Sequence, residues 1–141
     1  MIEDIIVTLI YSSLGIILMM LGVFLIDLVI PCHFPTEIKK KNKAVGYISA
    51  GASIAVGIIL KSAIMSPSAS DLSQTLLGGI ASTVVYFIIG IVFCAIGYLA
   101  MKLFNKKYNL DKEIEEGNQA AGLMVMGMFV GLAFIISGVI Y

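Results

Sequence analysis

Arginine is absent from this 141-residue chain, histidine occurs once and cysteine twice. Charge of either sign is sparse, at 13% of residues, and nine lysines balance nine acidic residues to a net charge of zero. Each scarcity excludes something. A balanced chain has no basic face for nucleic acid, so no nucleic-acid partner is expected. A zinc site draws three or four ligands from one chain. Cys32-His33 is the sole Cys/His pair, so no metal and no cofactor are expected. No Ser-His-Asp set, phosphate loop or pair of buried carboxylates is present, which leaves no catalytic residues and no enzyme expected. Cys32 and Cys94 lie at a span boundary and mid-span, with no oxidising environment, so no disulfide is expected.

Hydrocarbon fills the chain instead. Hydrophobic residues make up 60% of it, and mean hydropathy is +1.05. A small soluble globule keeps too much surface in water to hide that excess, and a disordered chain needs the opposite composition. Four apolar runs cover Ile5–Ile30, Ala44–Met65, Leu76–Met101 and Ala120–Tyr141. Each exceeds the ~20 residues that a helix needs to cross ~30 Å of hydrocarbon. The 14 glycines are tolerated in membrane helices. None of the runs alternates as barrel strands would. The leader Met1-Ile2-Glu3-Asp4 is acidic where a secretory signal is basic, so the first run is read as a retained helix. The expected fold is all-α, a polytopic membrane protein with four transmembrane helices.

The lysines set direction. Lys39, Lys40, Lys41 and Lys43 lie between runs one and two, and Lys102, Lys106, Lys107 and Lys112 between runs three and four. Only Lys61 falls on the other side. The positive-inside rule makes the lysine-rich links cytoplasmic and both termini external, in the plasma membrane. So strong a bias argues against dual topology.

The two halves resemble each other. At a shift of 75, Ile5, Thr8, Tyr11, Gly15, Ile16, Gly22 and Leu28 meet Ile80, Thr83, Tyr86, Gly90, Ile91, Gly97 and Leu103. At a shift of 76, Glu37, Ile38, Asn42, Ala44, Gly46, Gly51 and Ile59 meet Glu113, Ile114, Asn118, Ala120, Gly122, Gly127 and Ile135. The pattern E-I-x3-N-x-A-x-G-x4-G occurs twice. Two tandem two-helix units are expected, over 1–65 and 76–141, joined by an external linker at 66–75. Two spans per unit predict a pseudo-two-fold axis along the membrane normal. With EIKKKNKAVG at 37–46 and EIEEGNQAAG at 113–122, the units resemble the domain-of-unknown-function 350 family, the YjfL-like bacterial inner-membrane proteins. The resemblance runs from about Ile5 to Ser137. It implies a multi-pass plasma-membrane protein with no established activity and no catalytic residues to carry over. Relatives are often encoded near polyamine- or peptide-ligase-like enzymes, an association rather than a mechanism.

The repeated residues supply the candidates. Gly15 with Gly22, Gly90 with Gly97, Gly51, and Gly127 with Gly131 let helices approach closely, for bundle packing or for a dimer face or lined pore. Thr36 or Asp111 is expected to cap an inner helix that continues into span two or span four. On such a helix Glu37 and Asn42 stand ~140° apart, as do Glu113 and Asn118, so neither pair shares a face. Asn42 and Asn118 are expected to hold the inner ends of spans two and four together, the alternative being a ligand or ion contact. Lys39, Lys40, Lys41 and Lys43 are expected at anionic lipid head groups, the alternative being pairing with Glu115 and Glu116. Tyr11 and Tyr86 belong to packing or an aromatic belt, or to an uncharged path with Thr8, Thr83, Ser12, Ser13 and Ser82. Asp27 and Lys61 reach the two interfaces, leaving no charge mid-bilayer. The expected role is a non-enzymatic oligomeric scaffold or partner-binding module in the lipid bilayer, as a homo-oligomer or with a cytosolic protein. The alternative is an oligomeric channel or transporter for a small solute or ion.

Overall fold

The computed structural model describes residues 1–66 and 76–140, so the linker expected at 66–75 lies outside the described residues except for Ser66. Among these residues the chain is all helical: α1 (Ile2–Val29), α2 (Phe34–Lys39), α3 (Lys43–Met65), α4 (Leu76–Phe104), α5 (Leu110–Glu115) and α6 (Gln119–Ile140). Four of them, α1, α3, α4 and α6, are long and apolar enough to cross a bilayer. The boundaries move by only a few residues from those read in the hydropathy. α1 starts earlier because Glu3 and Asp4 sit in its first turn, where the helix dipole favours acids. α4 runs on to Phe104, with Lys102 in its last turn.

The largest departure is at the two lysine-rich links. The sequence predicts one continuous helix through Glu37 and Asn42. Instead α2 stops at Lys39, Lys41 adopts φ 62, and Asn42 starts α3. The α2 end is a Schellman cap, with Lys41 N–H on the Ile38 carbonyl at 2.9 Å and Asn42 N–H on the Glu37 carbonyl at 2.9 Å. The α5 end has the same two bonds, Gly117 N–H to Ile114 and Asn118 N–H to Glu113, with Gly117 at φ 83. A left-handed residue is cheap for glycine and costs lysine about 1 kcal/mol, which the surrounding bonds offset. The caps also differ from expectation. Neither Thr36 nor Asp111 caps. Asn109 caps α5, Asn42 caps α3 through Val45 N–H, and Asn118 accepts from Ala120 N–H.

α3 is the most enclosed helix. It packs along α6 and also touches α1 and α4. α3 and α6 run in the same direction. At their N-terminal ends Ala44 lies against Gly122, and at their C-terminal ends the Ser62 and Ser137 hydroxyls are hydrogen-bonded. The Ser66 hydroxyl donates to the Ile140 carbonyl at 3.1 Å. Glycine is required where backbones nearly touch. A Cβ on Gly122 would stand 2.6 Å from Ala44 Cα, and one on Gly51 2.8 Å from Met126 Cα. Gly22 and Gly97 sit under side chains of the neighbouring helix, Val56 for the first and Leu132 and Met128 for the second, while Gly15 meets Leu60 more loosely. Gly90 lies under Ile59. Gly127 and Gly131 meet nothing within 4 Å. The core comprises Val45, Ile48, Val56, Phe129 and Tyr98 among others, whereas Ile5, Leu9, Ile17 and Met20 on α1 face outward, as helices in lipid allow.

Candidate functional site

The polar side chains concentrate at the ends of the long helices that carry the two lysine-rich links. Because the chain breaks after α2, Glu37 and Asn42 meet despite their five-residue spacing. The Asn42 amide donates to Glu37 Oε2 at 2.9 Å, to the Ile114 carbonyl at 2.9 Å and to the Glu115 carbonyl at 3.2 Å. Its carbonyl oxygen accepts from Val45 N–H. One buried side chain therefore caps α3, holds the Glu37 carboxylate and ties the first link to the end of α5. Asn118 repeats the local part only. Its amide donates to Glu113 Oε2 at 2.6 Å, but both residues are more exposed and Asn118 reaches no other link.

The Asn42 amide and the Lys40 ammonium, 2.9 Å from Glu37 Oε1, hold the Glu37 carboxyl below its ordinary value of 4.5. A carboxyl whose folded-state pKa is depressed contributes stability above its unfolded pKa and loses it as pH falls through the folded value. Unfolding followed from about pH 6 to about pH 2 is expected to show stability falling below about pH 4.5, and Glu37→Gln is expected to flatten that fall.

A second polar group lies beside the first, and sequence reasoning missed it. Asp27, near the end of α1, accepts from Phe34 N–H at 2.7 Å and so caps α2, while His33 Nδ1 stands 3.3 Å from its other oxygen. The Tyr98 hydroxyl donates to Asp111, and Lys102 pairs with the same carboxylate at 2.5 Å. Burial, followed by the field of Glu37, Asp27, Glu115 and Asp111, pushes the Cys32 thiol up to about 11. Such a thiol is a poor nucleophile. Among the described residues no group of three His, Cys, Asp or Glu is placed to hold a metal ion, and no buried side-chain nitrogen or oxygen lacks a partner.

Between the two links lies an open cleft of about 700 Å³ lined by Glu37, Lys40, Lys41, Asn42, Lys43, Lys112, Glu115, Glu116 and Gly117. Lys40 is engaged with Glu37, and Lys112 approaches Glu116 at 3.7 Å. Among the described residues no ion pair joins Lys39, Lys40, Lys41 or Lys43 to Glu115 or Glu116. Lys41 and Lys43 make no ion pair there at all, and Lys39 is exposed outside the cleft. Of the other predicted residues, Tyr11 packs against Gly79 of α4, and Tyr86 is half-buried against the core. The Thr8 and Thr83 hydroxyls donate to carbonyls of their own helices, Asp4 at 2.7 Å and Gly79 at 2.8 Å. The structure thus brings Glu37 and Asn42 together with α5, and leaves the tyrosines apart from them.

A family model described as Domain of Unknown Function (DUF350) matches residues 1–140. A UPF0719 transmembrane protein of Aquifex aeolicus (strain VF5) is 29% identical over 133 residues, covering 94% of this chain and 48% of that protein. The UPF0719 transmembrane protein YshE of Bacillus subtilis (strain 168) is 24% identical over 127 residues, 90% of this chain and 87% of that protein. The chain spans about half the length of the Aquifex relative. No solved structure matches.

Proposed function

Since the chain belongs to the DUF350 family, whose relatives are transmembrane proteins, we propose that it is a non-enzymatic membrane scaffold. In this reading it is built from two copies of one helical-hairpin unit, and its lysine-rich end takes a cytosolic protein. The observation that carries the reading is the cleft between the two links. It is open, it holds Lys41 and Lys43 free of ion pairs among the described residues, and it sits on backbone fixed by two Schellman caps. The buried polar groups around it are committed to holding the links, which suits a rigid recognition surface better than a reacting centre. The positive-inside rule supports a plasma-membrane orientation with this end in the cytoplasm and both termini outside. Lys39, outside the cleft, is left for anionic head groups. Two units of one origin are supported by the matching link bonds at Glu37–Asn42 and Glu113–Asn118.

The test is native mass spectrometry of the protein lifted from its own membrane in nanodiscs. A stoichiometric cytosolic protein is expected, lost in Lys41→Glu/Lys43→Glu while the melting temperature holds. Selective solute or ion flux through the purified chain in liposomes, with no such protein, would favour the channel instead.

A further inference from the structure

The contact between α3 and α6 is not symmetric. A two-fold axis between the units would pair each contact with its mirror, and the mirrors are missing. Ala44 meets Gly122, yet Gly46 meets nothing within 4 Å and Ala120 is exposed. Gly51 meets Met126, yet Gly127 meets nothing within 4 Å and Ala50 is exposed. Asn42 reaches Ile114 and Glu115, yet Asn118 reaches neither Ile38 nor Lys39. The first unit uses one face of its second helix, and the second unit uses a different one. The pseudo-two-fold read from the sequence does not describe this contact; a head-to-tail relation does.

Head-to-tail contact leaves each unit with one unused face, and the exposures follow that rule. Ile59 is 2% exposed and its counterpart Ile135 66%. In the opposite sense, Ile114 is 0% exposed and its counterpart Ile38 49%. On α1 and α4, Ile91 is 9% exposed and its counterpart Ile16 57%. What the second unit covers on the first is bare on the second, and what it uses for covering is bare on the first. A groove of about 380 Å³ over Glu113, Asn118, Ala120 and Met124 marks the vacant place. In the first unit the matching residues Glu37, Asn42, Ala44 and Ile48 are buried, and Asn42 there bonds to α5.

Resting on the two-unit reading above, we propose that a second copy of this chain docks its first unit onto the second unit, repeating the internal contact. α3 of the incoming copy lies along α6, with its Ala50 at Gly127 and its Gly46 at Ala120. Its Gly15 covers Ile135 as Gly90 covers Ile59 within the chain. Asn118 then bonds to the incoming Ile38 and Lys39 carbonyls, as Asn42 bonds to Ile114 and Glu115. A heterologous contact of this kind propagates in one direction and closes into a ring when the rotation allows. The continuity of the vacant face with the internal interface selects a second copy over a lipid chain or a foreign helix.

The experiment uses full chains with Cys32→Ser and Cys94→Ser, oxidised mildly in the membrane. One copy carries Ala50→Cys, the other Gly127→Cys, and the two are co-expressed with different tags. A mixed disulfide-linked dimer is expected, at least ten times more abundant than either homodimer. Equal or dominant Gly127→Cys homodimers would mean an isologous contact, and no dimer would mean that lipid covers the face; either overturns the proposal. In native mass spectrometry the unsubstituted chain is expected to give an oligomer and Gly127→Phe a monomer of the same helicity; an oligomer unchanged by Gly127→Phe also overturns the proposal. A single-chain disulfide between Ser62→Cys and Ser137→Cys in the same membranes reports the internal contact. Its loss would sink the fold, whereas its presence without the mixed dimer would sink only the docking.

Discussion

Asn42→Ala is expected to cost about 2–3 kcal/mol of stability, and Asn118→Ala in the dissociated chain about 1 kcal/mol or less. The residues occupy matching positions, and the difference comes from what each reaches. Removing the Asn42 side chain deletes the cap of α3, worth about 1 kcal/mol. It also removes the donors to the Ile114 and Glu115 carbonyls, in a place where water does not replace them easily, for roughly 1–2 kcal/mol more. Asn118 loses a cap on an exposed surface, and the Glu113 carboxylate beside it turns to water. Asn42→Asp separates the two effects at the first site. It keeps the cap acceptor, loses the donors and sets a second carboxylate against Glu37, so it is expected to be no better than alanine at neutral pH and to recover in acid. Thermal unfolding of the variants in nanodiscs measures all three. Equal losses for Asn42→Ala and Asn118→Ala in the monomeric state would remove the inter-link role of Asn42.

Gly122→Ala is expected to be at least as damaging, at about 3 kcal/mol, although it adds one methyl group. Helix propensity alone would make the change favourable by roughly 0.5–1 kcal/mol. The sign reverses because the new Cβ would stand 2.6 Å from both Ala44 Cα and the Ala44 carbonyl oxygen, which are backbone atoms without a rotamer to change. α3 and α6 must separate, and their shared core opens with them. Gly51→Ala, 2.8 Å from Met126 Cα, is expected to follow. Gly127→Ala and Gly131→Ala, with nothing within 4 Å, are expected to leave the single chain within about 0.5 kcal/mol of its starting stability. Gly51 and Gly127 match at a shift of 76 in the sequence, so the contrast between them reads the asymmetry of the bundle directly. If all four variants fold and melt alike, the close approach of α3 and α6 is wrong.

The four long helices were legible because hydropathy over ~20 residues is a property of the chain alone. The lysine-rich links were less so. Lys41 in a left-handed conformation leaves no local mark, since lysine has no preference for it, whereas Gly117 at the matching place does. The repeat sets Gly117 opposite Lys41, and that pairing is the one mark in the sequence of the break, and so of the Glu37–Asn42 bond that a continuous helix forbids. Asp27 reads as an interfacial carboxylate from its depth, but its role as cap of α2 depends on the turn at Ile30–His33 bringing Phe34 N–H back to it. The glycines show the same division. Their spacing announces close packing, but which glycine meets a neighbour is decided by how α4 and α6 lean on α1 and α3. That asymmetry lies in the assembled helices and has no counterpart in the residues that match at a shift of 75 or 76.

The most direct measurement is a disulfide trap across the C-terminal ends of α3 and α6. Ser62 and Ser137 share a hydrogen bond, and they lie 75 residues apart in the chain. In a chain with Cys32→Ser and Cys94→Ser, the pair Ser62→Cys and Ser137→Cys is expected to close within one polypeptide on mild oxidation in the membrane, giving a faster-migrating monomer. Neither single variant should do so. Absence of that species, with both cysteines accessible to a membrane-permeant thiol reagent, would contradict the parallel pairing of α3 with α6 from which the site and the docking face both follow.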